Sequence, residues 1–221
     1  MTCPAPSRGV YLTYLIQGLI LIASAASILA GEYLLGLSAG LAFLLTLAPA
    51  IVTRNLRLCL PWEISLFIAV SLYLHIMGLA GGYYVSLAPY YDKLTHLVSS
   101  AAIAFIAFFI AIIAGQRGEI RLTTPTIVAF ILTTTLAAGA IWEIAEFAID
   151  QVFGTNLQLG NTDTMGDLIM DLIGGMIVAG FAAIILESEG EGRFIRLFTG
   201  WARGAEPACI IDDPVDSAQN R

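Results

Sequence analysis

The chain has 221 residues, of which 58% are hydrophobic and 12% charged, and it carries a formal net charge of −7 at pH 7. Mean hydropathy is +0.84, too apolar for a surface that faces water throughout, so an ordinary soluble domain is excluded and lipid is the expected solvent. The acidic balance argues against nucleic acid as a partner.

A helix that crosses a bilayer needs about 20 apolar residues. Six stretches qualify: Val10 to Ala30, Tyr33 to Val52, Trp62 to Leu79, Leu94 to Ala114, Thr126 to Ile149 and Asp167 to Leu186. Their connections are short. The sequence therefore predicts an all-α membrane protein, a bundle of about six transmembrane helices over residues 1–186, followed by a tail over 187–221.

In the first stretch, Arg8 precedes an apolar run containing Ala23-Ser24-Ala25, which has the look of a signal-peptidase site. The run is longer than a usual signal h-region, which favours its retention as a span. Gly36 and Gly40 in the second stretch, and Gly175, Ala179 and Ala183 in the sixth, recur at a spacing of four and predict close helix packing. Leu60-Pro61 and Thr124-Pro125 read as N-cap and first-turn signals before the third and fifth spans. Glu63 is expected to stabilise the N-terminus of the third span. Gly81 to Tyr84 and Pro89 to Tyr91 read as a turn flanked by an interfacial aromatic belt. After the last span, residues 193–203 mix Phe194, Ile195, Leu197, Phe198 and Trp201 with arginines, as in a short amphipathic interfacial helix. Residues 206–221 have a disordered composition.

Orientation follows from the basic residues. Arg8, the Arg54–Arg57 pair, the Arg117–Arg121 pair and Arg193, Arg196 and Arg203 fall in alternate connections, so both termini are expected in the cytoplasm of a multi-pass inner or plasma membrane protein. Lys93 is the lone basic residue expected on the other side. Cys3, Cys59 and Cys209 all fall on the cytoplasmic side, where thiols stay reduced, so no disulfide framework is implied.

Chemistry concentrates in three segments. Asp92, Lys93 and His96 open the fourth span, Glu143, Glu146 and Asp150 close the fifth, and Asp163, Asp167 and Asp171 open the sixth. Consecutive spans run antiparallel, so these ends share one membrane face. Asp92 and His96 are four apart, Glu143, Glu146 and Asp150 step by three and four, and the three aspartates of the sixth span step by four, so each set projects from one helix face. Seven carboxylates facing one histidine and one lysine cannot all stay ionised in a partly dry site. A divalent metal ion, protons or a cationic substrate must neutralise them, and oxygen ligands with one imidazole suit Mg²⁺, Mn²⁺, Ca²⁺ or Zn²⁺.

Asp92, His96, Glu143, Glu146, Asp167 and Asp171 are the expected metal ligands, with His96, Glu143 and Glu146 as the acid/base candidates. Lys93, Asp150, Asp163 and His75 are expected around them. The plainer alternatives are water-facing helix ends for Asp92, Asp150 and Asp163, a capping box of Thr164 with Asp167, a Lys93–Glu146 ion pair and a hydrogen-bonded packing role for His75. They serve least well for Glu143, Glu146 and Asp171, which lie a turn or more inside apolar sequence, where a carboxylate costs about 2 to 3 kcal/mol even on a lenient scale.

At these residues the chain resembles VanZ-like membrane proteins, whose pattern is a D-K-x-x-H helix, a Glu-containing helix and then D-x-x-x-N-x-x-G. Here it reads Asp92-Lys93-Leu94-Thr95-His96, Glu143-Ile144-Ala145-Glu146 and Asp167 to Gly174 with Asp171 in the Asn place. Glu146 stands where VanZ-like proteins have Gln. The Glu pair followed by Asp163-Thr164 and Asp167 looks closer to the inner-membrane proteins typified by YjdF. The resemblance spans roughly the last four helices and implies a link to the cell envelope without supplying a reaction.

Three functions are compatible with this pattern. The first is a metal-dependent membrane enzyme or binding protein acting on a lipid or envelope component. The second is a proton- or cation-coupled transporter, and the third a structural protein whose acidic rim holds helices in register. The near absence of charge in the inner halves of the spans weighs against transport.

Overall fold

A computed structural model describes residues 8–56, 62–116 and 123–189, and all of the secondary structure there is helical. The elements are α1 (Arg8–Leu29), α2 (Tyr33–Thr46), α3 (Ala48–Leu56), α4 (Trp62–Ala80), α5 (Tyr83–Ser86), α6 (Tyr90–Gln116), α7 (Thr124–Phe153) and α8 (Asn161–Glu189). Six segments are long and apolar enough to cross a membrane, matching the six expected. The expected interfacial helix at 193–203, the disordered tail, Leu60-Pro61 and the three cysteines lie outside the described residues.

The second span is interrupted rather than continuous. Pro49 has no N–H to donate and its ring collides with the carbonyl four residues back, so the helix closes at Leu47, whose N–H bonds the Leu44 carbonyl at 3.1 Å, and restarts as α3. The N-cap of α7 is Thr123, one residue earlier than expected; its hydroxyl accepts from the Thr126 N–H at 3.4 Å, with Pro125 in the first turn.

The helices group as two trios. Ile20 of α1, Ala39 and Ala42 of α2 and Ile76 of α4 form one buried core. Ala104, Ala107, Phe108 and Ile112 of α6, Ile127 and Ile131 of α7 and Val178 and Ala182 of α8 form the other. Phe67 and Phe105, with ring centroids 5.9 Å apart, join the trios between α4 and α6. In lipid, apolar burial gives little drive for helix association, so close approach through small residues and interhelical hydrogen bonds must hold the bundle. Ser24 of α1 donates to the Gly36 carbonyl of α2 at 2.7 Å, and Gln17 donates to the Thr46 carbonyl at 3.1 Å.

Helix length exceeds apolar length where the chemistry lies. α6 begins at Tyr90 rather than Leu94, α7 runs to Phe153 rather than Ile149, and α8 begins at Asn161 rather than Asp167. Hydropathy marks depth in lipid, whereas backbone hydrogen bonding sets helix length, so the extra turns carry polar side chains beyond the apolar stretches. These three ends meet on one face, opposite the face that holds the start of α1 and the end of α8.

Candidate functional site

The polar ends of α6, α7 and α8 converge. Lys93 stands one turn into α6, and its ammonium donates to Asp163 Oδ1 at 2.6 Å, to Asp167 Oδ1 at 2.8 Å and to the Asp163 carbonyl at 3.2 Å. Asp92 Oδ2 lies 3.7 Å from the same ammonium. Lys93 is therefore at the centre of the cluster and pairs with α8 rather than with Glu146. Thr164 lies inside α8 and makes no capping box, because the helix has already begun at Asn161 and Asp167 is turned to Lys93.

One turn deeper is His96, buried among four carboxylates. Its Nδ1 lies 3.3 Å from both oxygens of Asp171. Its Nε2 faces Glu143 Oε1 at 3.6 Å, Asp92 Oδ1 at 3.9 Å and Asp167 Oδ1 at 3.9 Å. Asp167 and Glu143 are 2% and 4% exposed, so these are interior groups. Glu143 Oε1 has no hydrogen-bond partner. Asp92, His96 and Asp167 offer donor atoms that all lie within 4.8 Å of one another, so the three could hold a metal ion.

Two glycines make this approach feasible. A side chain on Gly139 of α7 would overlap the Asp171 carboxylate, and one on Gly174 of α8 would overlap Ser100 Oγ of α6. With only hydrogen at those positions, α7 and α6 close on α8 at the depth of the histidine.

The remaining expected residues stand apart to different degrees. Glu146 is held on its own helix by the Trp142 indole N–H at 3.0 Å, within electrostatic reach of Glu143, Asp92 and His96. Asp150 leaves the cluster entirely: it accepts from the Thr155 hydroxyl at 2.6 Å and from the backbone N–H groups of Leu157 and Gln158 at 2.8 and 2.9 Å, folding the α7–α8 connection. Its exit leaves Asp92, Glu143, Asp163, Asp167 and Asp171 gathered around Lys93 and His96, with Glu146 at their edge.

His75 of α4 packs behind α6. Its Nδ1 bonds the Tyr84 hydroxyl at 2.8 Å and its ring meets Trp142 edge-on, with centroids 4.9 Å apart. Tyr84 and Tyr91, expected in the aromatic belt, turn inward instead. Tyr84 also reaches Thr95 Oγ1 at 3.4 Å, and Tyr91 donates to the Leu74 carbonyl at 2.7 Å. Burial pushes the Tyr84 phenol well above its usual range, so it stays protonated and available as a donor. Gly139 and the hydrogen bonding of Tyr84 escape sequence reasoning, because their importance lies in a partner on another helix.

The family described as "Predicted membrane protein (DUF2238)" matches residues 11–188. This chain belongs to the DUF2238 family. A Thermotoga maritima protein, described as uncharacterized, is 31% identical over 137 residues, which cover 61% of this chain and 67% of that protein. No solved structure matches. Membership covers every described span and makes this DUF2238 chain an integral membrane protein of the bilayer, while the acidic-histidine cluster is the part of it with chemical content.

Proposed function

We propose that the protein binds a divalent cation at the convergence of α6, α7 and α8 and acts there on a lipid or cell-envelope component at the non-cytoplasmic face. The observation that carries this is the surroundings of His96 Nε2. The other ring nitrogen is engaged by Asp171, the arrangement in which an imidazole keeps Nδ1–H on a carboxylate and turns Nε2 to a metal. Nε2 then faces three carboxylate oxygens at 3.6 to 3.9 Å, too far for hydrogen bonds. Neighbouring ligands of a small divalent ion lie about 3 to 4 Å apart, given bonds of about 2.0 to 2.5 Å.

Asp92, His96 and Asp167 would hold the ion, with Glu143 beside it as ligand or general base and Asp171 orienting the imidazole. The mixed nitrogen and oxygen donors favour Mn²⁺ or Zn²⁺ over Mg²⁺ and Ca²⁺. The resemblance to VanZ-like and YjdF-type proteins supports an envelope role, and the distribution of arginines supports cytoplasmic termini. The apolar core of Phe108, Ile112, Ile127, Ile131 and Val178 lies deeper in the same trio and supports a site served from one face over a transport route.

Metal content of the detergent-purified protein tests the proposal. About one Mn²⁺ or Zn²⁺ per chain is expected in the wild type and none after His96→Ala. Equal metal in both, or none in either after exposure to the ions, would overturn it.

A further inference from the structure

Two positive centres share the same carboxylates. Asp92 turns Oδ1 to His96 Nε2 at 3.9 Å and Oδ2 to Lys93 Nζ at 3.7 Å. Asp167 Oδ1 stands 3.9 Å from that imidazole nitrogen and 2.8 Å from the ammonium. Asp163 adds its Oδ1 at 2.6 Å and its backbone carbonyl at 3.2 Å. Four oxygens therefore surround Lys93 Nζ, and two of them belong to carboxylates that also face the histidine. Carboxylates presented to two neighbouring positive centres are the architecture of a two-ion site, in which the ions stand about 3.5 to 4 Å apart.

The path of the lysine is built as well. A side chain on Gly166 of α8 would meet Lys93 Cε at 2.9 Å and Cδ at 3.7 Å, so the lysine stem crosses α8 at a position where hydrogen alone leaves room for it. The stem thereby carries a charge from α6 into the first turns of α8, between Asp163 and Asp167. An ion pair on an open surface needs no such passage.

We propose that the Lys93 ammonium is a tethered cation in the second place of a two-cation site, and that it restricts the protein to a single divalent ion, the one on His96 Nε2. A cage of oxygens alone suits Mg²⁺, Ca²⁺ or Mn²⁺, so without the lysine it fills from solution. The ammonium supplies one unit of charge where a divalent ion supplies two, and it does not exchange. The order of filling follows from the sharing of ligands. With the lysine gone, the ion on His96 is what holds Asp92 and Asp167 together against their mutual repulsion, so the second ion enters after the first. The inference rests on the cation site proposed above and adds the residue that sets its stoichiometry.

The test is manganese content and electron paramagnetic resonance of the full chain, stripped with chelator, equilibrated with Mn²⁺ and freed of excess ion. The wild type is expected to hold one magnetically isolated ion. Lys93→Met, which keeps most of the stem and deletes the charge, should double the content and give the exchange-coupled spectrum of two ions bridged by carboxylate. Gly166→Val, which keeps the lysine but fills the path of its stem, should do the same. Two coupled ions in the wild type overturn the proposal, whatever the folding of the variants. So does a single isolated ion in whichever of Lys93→Met and Gly166→Val remains monodisperse, an outcome that leaves the His96 site standing. A second ion without coupling lies elsewhere and overturns it too. No manganese in the wild type overturns the cation site and this inference with it.

Discussion

His96 Nδ1 sits 3.3 Å from each oxygen of the Asp171 carboxylate, a contact that ties α6 to α8 across 75 residues of sequence. The pair fixes which ring nitrogen is left to face Asp92, Glu143 and Asp167. Asp171→Asn preserves shape but removes the charge that orients the ring, and metal affinity should fall about 10- to 100-fold, as expected for partners of a ligating imidazole. Calorimetric titration with Mn²⁺ measures it; an affinity within twofold of wild type would refute the orienting role.

Behind Asp171 is Gly139, where a methyl group would occupy the carboxylate's place. Gly139→Ala should force α7 away from α8 and lower stability by about 1 to 3 kcal/mol, the usual penalty of overpacking. The variant should also lose metal although it changes no ligand. Thermal unfolding in detergent and metal content together check both halves of the expectation.

Much of this arrangement is legible in sequence. Six apolar runs give the spans, and the alternation of antiparallel helices places Asp92, Glu143 and Asp167 on one face without any knowledge of packing. Spacing then puts His96 on the same helix face as Asp92. What sequence does not carry is which carboxylates turn inward. Asp150 continues the stripe of Glu143 and Glu146, yet it is consumed by backbone N–H groups of a connection whose path only the fold determines. Tyr84 and Tyr91 have the composition of an interfacial belt, and their inward turn depends on His75 and the Leu74 carbonyl of a neighbouring helix. The break at Leu47 does not show in apolar content, which reads Tyr33 to Val52 as one run.

Lys93 is the counter-charge of the cluster's upper half. Lys93→Met leaves Asp163 and the buried Asp167 without their ammonium, and removal of one partner from such a pair costs about 3 kcal/mol or more. A large fall in the unfolding temperature is expected. Millimolar Mn²⁺ should restore part of it in Lys93→Met and none in the Lys93→Met, His96→Ala double variant, as read by thermal unfolding with and without the ion.

Cation binding should itself stabilise the native bundle. At a free ion concentration 100-fold above the dissociation constant, the gain is about 2.7 kcal/mol, since the unfolded chain lacks the site. Chelator should lower the unfolding temperature of wild type and leave His96→Ala unmoved. An equal response in both proteins would point to the ion acting elsewhere.

Tyr84→Phe removes the hydroxyl shared with His75 Nδ1 and Thr95 Oγ1. The buried imidazole then loses its partner, at a cost of about 1 to 3 kcal/mol. Metal content should stay at the wild-type level, because α4 supplies no ligand. Parallel loss of metal would place His75 within the site.

The apolar floor formed by Phe108, Ile112, Ile131 and Val178 has a kinetic consequence. A chamber with a closed bottom has one doorway, so whatever arrives must depart by the same route before the next molecule is admitted. On the lipid-directed function proposed above, product and substrate would therefore share that entrance, and the product would compete with the substrate from the same leaflet.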